Sequence, residues 1–448
     1  MKLVLLKVYM DQFLYIFGPY IMIMSLKDII EEWQYFEIPD PIERNLNPLE
    51  FLSWKVKKII PLVGFRRTGK TFLLFYIAKK LGKENTLYIN FEDIMIKDID
   101  YSKFLRTIRE YYGERRLVLL LDEVQELKDW SGWLRSLNDL PNFFIYATGS
   151  SSKIGLENIP TNLRGRTLTF YVFPLDFKEF LRFNNFRLEE LPSSILLNKL
   201  KNFLEYGGMP EIVLETSKGK KLLMANEYFN TFVSRDIIER YKIRNDIAIK
   251  YIIKYLFDTT KTSISKMYNV LKSLGHSIGK ETLIRYLKYL DETFLFFFIP
   301  CYGSFKKREQ EPKKVYTIDN IFLRKFSIDS GLGRLMENLV AIELIRRRYN
   351  TIKIDDLFYY QSPQGYEIDF VIKQGLEVKE LIQVTYASDF DEISPREYRA
   401  LIKASELFKG AKLTIVTWDY EDQRVLEWWG KKASVRFVPL WKWLTETL

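Results

Sequence analysis

The segment from Gly64 to Thr71, GFRRTGKT, holds the residue types best suited to chemistry in this chain, at the spacing G-x-x-x-x-G-K-[ST]. An apolar, β-leaning run precedes it, and residues 72–81 follow with apolar side chains at helical spacing. Glycines let backbone N–H groups turn inward toward phosphate oxygens, and the next helix adds positive charge at its N-terminus. The pattern predicts a nucleotide site in which Lys70 binds the β- and γ-phosphates and the Thr71 hydroxyl binds Mg²⁺. The loop residues expected to contact the nucleotide are Gly64, Arg66, Arg67, Thr68, Gly69, Lys70 and Thr71.

A pair of adjacent acids, Asp122 and Glu123, follows the apolar run 116–121. Such a run is typical of a strand that is buried on both faces of a parallel sheet. A carboxylate at the C-terminal end of a strand beside a phosphate loop holds Mg²⁺ directly or through water, so Asp122 is predicted to be a metal ligand. Glu123 is predicted to polarise the attacking water as a general base. The alternative is a buried strand that ends in two solvated acids.

A third polar segment, Thr148 to Ser152, follows another apolar run, residues 142–147. Its hydroxyls, Thr148 first, would face the γ-phosphate and the attacking water, although an ordinary polar turn has the same composition. A further strand candidate, residues 86–91, lies between the first two motifs in the sequence, and helical patterns alternate with the strands. This alternation predicts an α/β fold with a doubly wound parallel sheet.

The order of elements after residue 260 predicts a winged helix-turn-helix. A helical pattern, a glycine-containing turn, a second helical pattern and a strand follow one another up to Ile299. At the start of the second helix, Lys280, Thr282 and Arg285 would face the major groove of DNA. The loop 304–308, SFKKR, would form a basic wing over phosphates. A winged helix that contacts only proteins is the alternative.

These motifs, taken in order, resemble those of the archaeal ATPase family of AAA+/STAND-type P-loop proteins. The likeness covers nearly the whole chain after about Met24. It is carried by GFRRTGKT, LLLDEVQEL from Leu119, ATGSSS from Ala147, LRGRTLTFYVFPLDFKEFL from Leu163, YGGMPEIV from Tyr206, SRDIIERYKIRN from Ser234, GRLMENLVAIELIRR from Gly333 and EIDFVI from Glu367.

The resemblance implies an ATPase core that binds ATP and Mg²⁺ and is closed by a helical lid. It implies that Pro210, in Gly208-Met209-Pro210, belongs to a turn that contacts adenine, and that Arg166 senses phosphate. An ordinary turn and a surface ion pair are the alternatives for these two residues. A nucleotide-dependent switch without turnover is the alternative for the whole core.

The C-terminal part resembles a domain of unknown function with an α/β, restriction-endonuclease-like, PD-(D/E)xK fold. In nucleases of that type, an Asp and a Glu-x-Lys on neighbouring strands hold a divalent metal, and a helix Glu often joins them. The resemblance assigns the helix acid to Glu337 and the strand acid to Asp369. Gln383 and Thr385 stand where the Glu and the Lys would be, so nothing is expected to replace the cation. A degenerate site kept as an adaptor is therefore expected, with an ATP-regulated nuclease as the alternative.

Composition limits the classes of function. The chain of 448 residues has one Cys and one His, which excludes a disulfide within the chain, a Cys/His zinc finger and a two-His metal motif. Catalysis must then use carboxylates, lysines, hydroxyls and a metal, and the cysteine usage suits the cytoplasm. The net charge of +10 fits DNA or another phosphate-bearing partner, but an ordinary basic protein fits equally. A protein partner and oligomerisation remain open.

The chain length predicts two or three domains after an N-terminal segment. The apolar stretch before Met24 is interrupted by Lys7, Asp11 and Gly18-Pro19, so we expect no stable membrane association. We expect that Met22 or Met24 is the natural start and that the preceding stretch is an upstream extension, with a membrane anchor as the alternative. The expected divisions are an extension and lead-in (1–44), the ATPase core with its lid (45–255), the winged helix (256–325) and the nuclease-like domain (326–448).

Overall fold

The computed structural model describes residues 25–53, 56–93, 96, 98–149, 163–276, 278–351 and 354–446. The predictions for the first 24 residues and for the hydroxyls of residues 150–152 lie outside this part of the chain. Among the described helices, none is both long and apolar enough to cross a membrane.

The first sheet is parallel throughout and has the strand order β2-β3-β4-β1-β5. The strands are β1 (Ile59–Val63), β2 (Thr86–Asn90), β3 (Leu117–Asp122), β4 (Phe143–Gly149) and β5 (Phe170–Tyr171). In the sheet, β4 lies between β1 and β3, while β2, which lies between the two motifs in the sequence, is at the edge. The predicted parallel α/β sheet is therefore confirmed.

Every residue of β3 is buried, because helices cover this sheet. They are α1 (Leu26–Tyr35), α2 (Lys70–Leu81), α3 (Tyr101–Tyr112) and α4 (Trp130–Asn138). Trp33 of α1 stacks with Phe75 of α2, and Phe104 of α3 packs against Trp133 of α4. The helices thus form two packed pairs whose apolar sides meet the sheet.

A helical region follows the sheet. It contains α5 (Phe177–Phe183), α6 (Ser193–Tyr206), α7 (Pro210–Leu214) and α8 (Lys218–Thr231), and α8 continues into a π-helix (Phe232–Glu239). Phe65 of the phosphate loop packs against Phe232 at a ring distance of 5.3 Å. This region therefore lies directly against the loop.

The next region combines helices with a small antiparallel sheet in the order β6-β8-β7. Its elements are α9 (Asp246–Asp258), β6 (Lys261–Thr262), α10 (Ile264–Ser273), α11 (Lys280–Asp291), β7 (Phe296–Ile299), α12 (Phe305–Gln310), β8 (Lys313–Thr317) and α13 (Asn320–Phe326). Leu283, Tyr286 and Leu290 form the buried side of α11. Tyr286 therefore belongs to the core and not to the exposed side with Lys280.

The C-terminal region has a six-stranded mixed sheet in the order β13-β14-β12-β11-β10-β9. Its elements are α14 (Leu332–Asn350), β9 (Asp356–Gln361), β10 (Glu367–Gln374), β11 (Glu377–Val384), α15 (Pro395–Ser405), β12 (Lys412–Thr417), β13 (Asp422–Trp428), β14 (Lys431–Pro439) and α16 (Leu440–Thr445). α14 is buried along most of its length and carries Glu337.

The predicted basic wing is wrong for residues 304–308, because α12 occupies this segment. Ser304 accepts a hydrogen bond from the Lys307 amide and so begins the helix. The Lys307 ammonium donates to the Gln361 carbonyl of β9 at 3.4 Å, and the Arg308 guanidinium lies 5.5 Å from the Phe358 ring. These cations therefore contact the C-terminal sheet.

Candidate nucleotide site

The phosphate loop joins the end of β1 to α2, and two of its glycines are required by local geometry. A Cβ on Gly64 would lie 2.2 Å from the Val172 carbonyl oxygen, so a larger residue would have to displace backbone. Gly69 has φ +94° and a left-handed conformation immediately before α2. Arg67 also has a positive φ, +67°. The loop is thus a tightly curled backbone that starts a helix, as the sequence predicted.

Lys70 is buried under the loop, with 5% of its surface exposed. Its ammonium donates to the carbonyls of Gly64 (3.1 Å) and Phe65 (3.0 Å). Burial lowers the pKa of Lys70, and the carboxylates of Glu123 and Asp122 oppose that shift. The loop therefore holds an ammonium at its centre, with acids that favour its charged form.

Asp122 is the centre of a buried polar cluster at the carboxyl edge of the sheet. Thr71 and Tyr88 donate to one carboxylate oxygen, Oδ2, at 2.8 and 2.9 Å, and Thr148 donates to the other, Oδ1. Burial raises the pKa of Asp122, as does Glu123, while these hydroxyl donors lower it. The structure therefore brings together three predicted site residues, Thr71, Asp122 and Thr148. It adds Tyr88, which the sequence analysis missed.

Glu123 lies beside this cluster in a conformation uncommon for a residue with a Cβ. Its φ is +50° and ψ is +46°, the left-handed region. Its amide donates to the Thr148 hydroxyl at 3.0 Å, and its carboxylate accepts from the Gln125 side chain. The backbone is thus tied to β4 while the half-buried carboxylate extends from the strand end. Such strain is often stored at functional sites.

The donor set at Thr71 and Asp122 suits Mg²⁺. Mg²⁺ prefers oxygen ligands and is commonly held by one or two carboxylates together with phosphate and water. The Thr71 hydroxyl and the Asp122 carboxylate are both oxygen donors and already touch each other. The residues present therefore fit the predicted ion.

The two loop arginines are tied to the helical region. Arg66 forms a forked pair with Asp236 of the π-helix, at 3.0 and 3.2 Å. Arg67 pairs with Glu211 of α7 at 3.1 Å, and its guanidinium lies 5.5 Å from the Tyr228 ring. These contacts connect the loop to the predicted lid.

Pro210, predicted to lie in the adenine turn, begins α7 close to the phosphate loop. A Cβ on Gly69 would lie 3.9 Å from its Cγ. The preceding glycines are tightly enclosed: a Cβ on Gly207 would meet the Asp319 carboxylate at 1.6 Å, and one on Gly208 would meet the Leu175 carbonyl at 2.3 Å. Glycine is therefore required at both positions to place the turn beside the loop.

Arg44 was missed by the sequence analysis, although it also supports the phosphate loop. Its guanidinium donates to the carbonyls of Thr68 (3.0 Å) and Phe173 (2.9 Å) and to the carboxylate of Glu179 (2.8 Å). Thr68 is fully buried, and its hydroxyl donates to the Phe65 carbonyl. An arginine with no local motif gives no sequence signal, because its partners are distant along the chain.

Arg166 lies beside the amino end of β1, whereas the phosphate loop follows the carboxyl end of that strand. The Ile59 amide, at the amino end of β1, donates to its carbonyl at 2.9 Å. Its guanidinium lies 3.8 Å from the Asp139 carboxylate, just after α4. The loop follows the other end of β1. The structure therefore shows the surface ion pair that was the alternative for Arg166, and phosphate sensing by this residue stays a prediction.

The DNA-binding candidates lie together in the first turns of α11. Lys280 and Arg285 are exposed and Thr282 is half-buried. The Arg285 guanidinium lies 3.4 Å from the Thr282 hydroxyl, and the Lys280 ammonium lies 5.3 Å from the Tyr268 ring. The structure thus places all three at one end of one helix.

The predicted nuclease-like residues also come together. Glu337 and Asp369 both accept from the Lys314 ammonium, at 2.9 and 2.8 Å. Gln383 accepts from the Asp369 amide at 3.2 Å and donates to Glu397. The expectation that nothing replaces the missing cation is wrong, because Lys314 supplies one. Lys314 comes from β8, far from the acids in sequence, so no spacing rule could have found it.

Comparison with known families divides the chain into three matches. Residues 56–181 match a family described as an AAA domain. Residues 197–328 and 332–441 match two families described as domains of unknown function, DUF8612 and DUF4143. The parallel sheet and its loop agree with the first match, so the expected P-loop fold of the AAA+ type is confirmed. The matches assign no function to the C-terminal part.

Two solved structures are similar to this chain at a low overall level. The Orc1 protein of Aeropyrum pernix in complex with DNA has a TM-score of 0.32 and 13% identity, covering 70% of this chain and 91% of that one. DnaA from Aquifex aeolicus bound to AMPPCP has a TM-score of 0.24 and 16% identity, covering 55% and 85%.

Two relatives match over most of the chain. An uncharacterized protein of Haemophilus influenzae is 29% identical over 344 residues, 73% of this chain and 83% of its own length. The uncharacterized protein MJ1544 of Methanocaldococcus jannaschii is 36% identical over 397 residues, 86% of this chain and 88% of its own length. By that identity and coverage, the protein belongs to the family of MJ1544, and its N-terminal half carries an AAA domain.

Proposed function

We propose that this protein is a Mg²⁺-dependent ATPase of the AAA+/STAND type. The observation that carries the proposal is the 2.8 Å hydrogen bond between Thr71, at the start of α2, and Asp122, at the end of β3. It joins a hydroxyl and a carboxylate from separate elements beside the buried Lys70. This is the arrangement needed to hold a metal ion against nucleotide phosphates.

Each residue has a role that follows from its position. The Lys70 ammonium, which donates to loop carbonyls, would turn to phosphate oxygens, whose negative charge offsets the cost of its burial. A bound Mg²⁺ would neutralise phosphate charge. Glu123 would orient water and accept its proton, because its carboxylate leaves the strand end next to Thr148. Pro210 would border the base, since it lies over the loop.

The experiment that tests the proposal measures ATP binding and hydrolysis by the purified full-length chain, with Mg²⁺ and with EDTA. Hydrolysis that requires Mg²⁺ and is lost in Lys70→Ala supports it. Tight ATP binding without turnover would favour the nucleotide-dependent switch. Absence of both binding and turnover would contradict the proposal.

DNA is the partner that we propose for the region after the lid. The order α9, β6, α10, α11, β7, α12, β8, with the sheet order β6-β8-β7, resembles that of a winged helix in which α12 takes the place of the wing loop. The exposed Lys280 and Arg285 lie in the first turns of α11, the second helix of this motif. A protein partner remains the alternative. We further propose that the protein acts in the cytoplasm. We also propose the domain limits expected from sequence, except that the winged helix starts with α9 at Asp246.

A further inference from the structure

Lys314 is one of the most buried charged residues that the structure describes, and it is surrounded by carboxylates. Only 4% of its surface is exposed. Its ammonium lies 2.8 Å from Asp369, 2.9 Å from Glu337 and 3.0 Å from Glu367. A lysine ammonium has three N–H donors, and each has one carboxylate oxygen here. The ammonium therefore has its full set of partners within the protein.

The acids around it are also held by other groups. Tyr316 donates to the same oxygen of Glu337 at 2.7 Å, and Lys261 lies 3.2 Å from Glu367. The Val384 amide donates to the second oxygen of Asp369 at 3.0 Å. The carboxylates are thus fixed so that they converge on one point, where their mutual repulsion requires a positive charge.

The protonation preferences agree with this geometry. Burial opposes the charge of Lys314, yet the carboxylates of Asp369 and Glu337 hold its pKa well above the ordinary value. Burial raises the pKa of Asp369 to about 7, against the pull of Lys314. Lys314 therefore stays charged at neutral pH, while burial and the neighbouring Glu337 favour the protonated form of Asp369.

We propose that the Lys314 ammonium is the resident cation of this cluster and takes the position that a divalent metal would occupy between Glu337, Glu367 and Asp369. Lys314 comes from β8, within the match 197–328, while the three acids come from α14 and β10, within the match 332–441. The lysine is therefore an ionic clamp between the small antiparallel sheet and the C-terminal sheet.

A further observation supports a clamp over an open metal site. The three donors of Lys314 are satisfied by carboxylates, so none remains to bind a substrate phosphate. An uncompensated buried carboxylate is costly, so removing the lysine should create a demand for another cation.

The test compares Lys314→Met with Lys313→Met in the full-length chain without nucleotide. Lys313 is the neighbouring residue of β8, is about one-third exposed and pairs with Glu309 at 3.7 Å. Lys314→Met should lower the melting temperature by roughly 5 °C or more, and Lys313→Met should lower it much less. Mn²⁺ should raise the melting temperature of Lys314→Met, and adding Asp369→Asn should abolish that gain.

The wild-type chain provides a measurement that does not depend on the folding of Lys314→Met. The number of Mn²⁺ ions bound without nucleotide, counted by electron paramagnetic resonance, should be the same for the wild type and for Asp369→Asn. One Mn²⁺ fewer in Asp369→Asn would overturn the proposal, because the wild-type cluster would then already hold metal. Equal stability of Lys314→Met and the wild type would also overturn it.

Discussion

The Gly208 amide donates a hydrogen bond of 2.7 Å to the buried carboxylate of Asp319, although the two residues are 111 positions apart. Asp319 also accepts from the Ile321 amide at 2.9 Å and thereby begins α13. The turn that places Pro210 beside the phosphate loop is therefore fixed by the segment that follows β8. The candidate nucleotide site depends on residues well outside the AAA-domain match.

The stability of the protein should depend on the protonation of Asp319. Burial raises its pKa to about 7, from an ordinary value of 3.8, although its amide partners lower it. Between these values the folded state keeps a proton that the unfolded state releases. The contribution of Asp319 to the free energy of unfolding is thus complete below about pH 4. It is lost as pH rises through about 7, at a rate of up to about 1.4 kcal/mol per pH unit.

Asp319→Asn cannot titrate, so its free energy of unfolding should fall less steeply over this range than that of the wild type. Denaturant unfolding at several pH values measures the slope. Asp246→Asn is the control, because Asp246 is a partly exposed acid whose pKa is lowered by its hydrogen bond with Lys250. Identical slopes for wild type and Asp319→Asn would show that Asp319 does not titrate as stated.

Removing the Lys70 ammonium should sharply weaken ATP binding. The buried cation is the group placed to face phosphate charge, and charge-assisted hydrogen bonds are stronger than neutral ones. Lys70→Ala should bind a fluorescent ATP analogue at least about 10-fold more weakly, since such bonds contribute about 1.5–3 kcal/mol. Lys80→Ala, an exposed change on the same helix, is the control. Equal affinity for the wild type, Lys70→Ala and Lys80→Ala would show that Lys70 does not bind the nucleotide.

DNA binding should depend on the start of α11. Lys280→Ala combined with Arg285→Ala removes two exposed cations and should weaken duplex binding, with affinity that falls as salt rises. Lys288→Ala is the control, because it is an exposed cation later on the same helix that pairs with Glu292. Unchanged affinity of the double variant at two salt concentrations would favour a winged helix that contacts only proteins.

The cluster of Glu337, Glu367 and Asp369 should not catalyse cleavage of nucleic acid. Metal-dependent hydrolysis needs a metal to stabilise charge at the scissile phosphate, and Lys314 fills the space between the acids. We expect no cleavage of single- or double-stranded DNA with Mg²⁺ or Mn²⁺, with or without ATP. Asp369→Ala should leave ATP hydrolysis unchanged. Metal-dependent cutting that Asp369→Ala abolishes would establish the ATP-regulated nuclease.

The parts of the molecule predicted from sequence are those in which neighbouring residues carry the signal. The phosphate loop, its helix and the acids at the end of β3 are continuous segments with strong local patterns, so α2 and β3 differ from the predicted ranges by only one or two residues. The proximity of Glu337 and Asp369 was implied by the family resemblance, which an ordered set of motifs carries.

The parts that were missed depend on contacts between distant segments. Arg44, Lys314 and Asp319 each take a role from partners more than 20 residues away, and none lies in a motif. β6 has two residues, which is too short for any periodicity. The basic run 304–308 predicted a wing because its charge can be read from the sequence. Its packing on β9 cannot, because β9 is distant along the chain.

The measurement that tests the central claim most directly is single-turnover ATP hydrolysis by wild type and Glu123→Gln at saturating ATP and Mg²⁺. Glutamine keeps the shape of Glu123 but cannot accept a proton from water. We expect Glu123→Gln to bind ATP as wild type does and to hydrolyse it at least about 100-fold more slowly. Hydrolysis at equal rates would contradict the role of Glu123, and absence of Mg²⁺-dependent hydrolysis by the wild type would contradict the account of this protein as an ATPase.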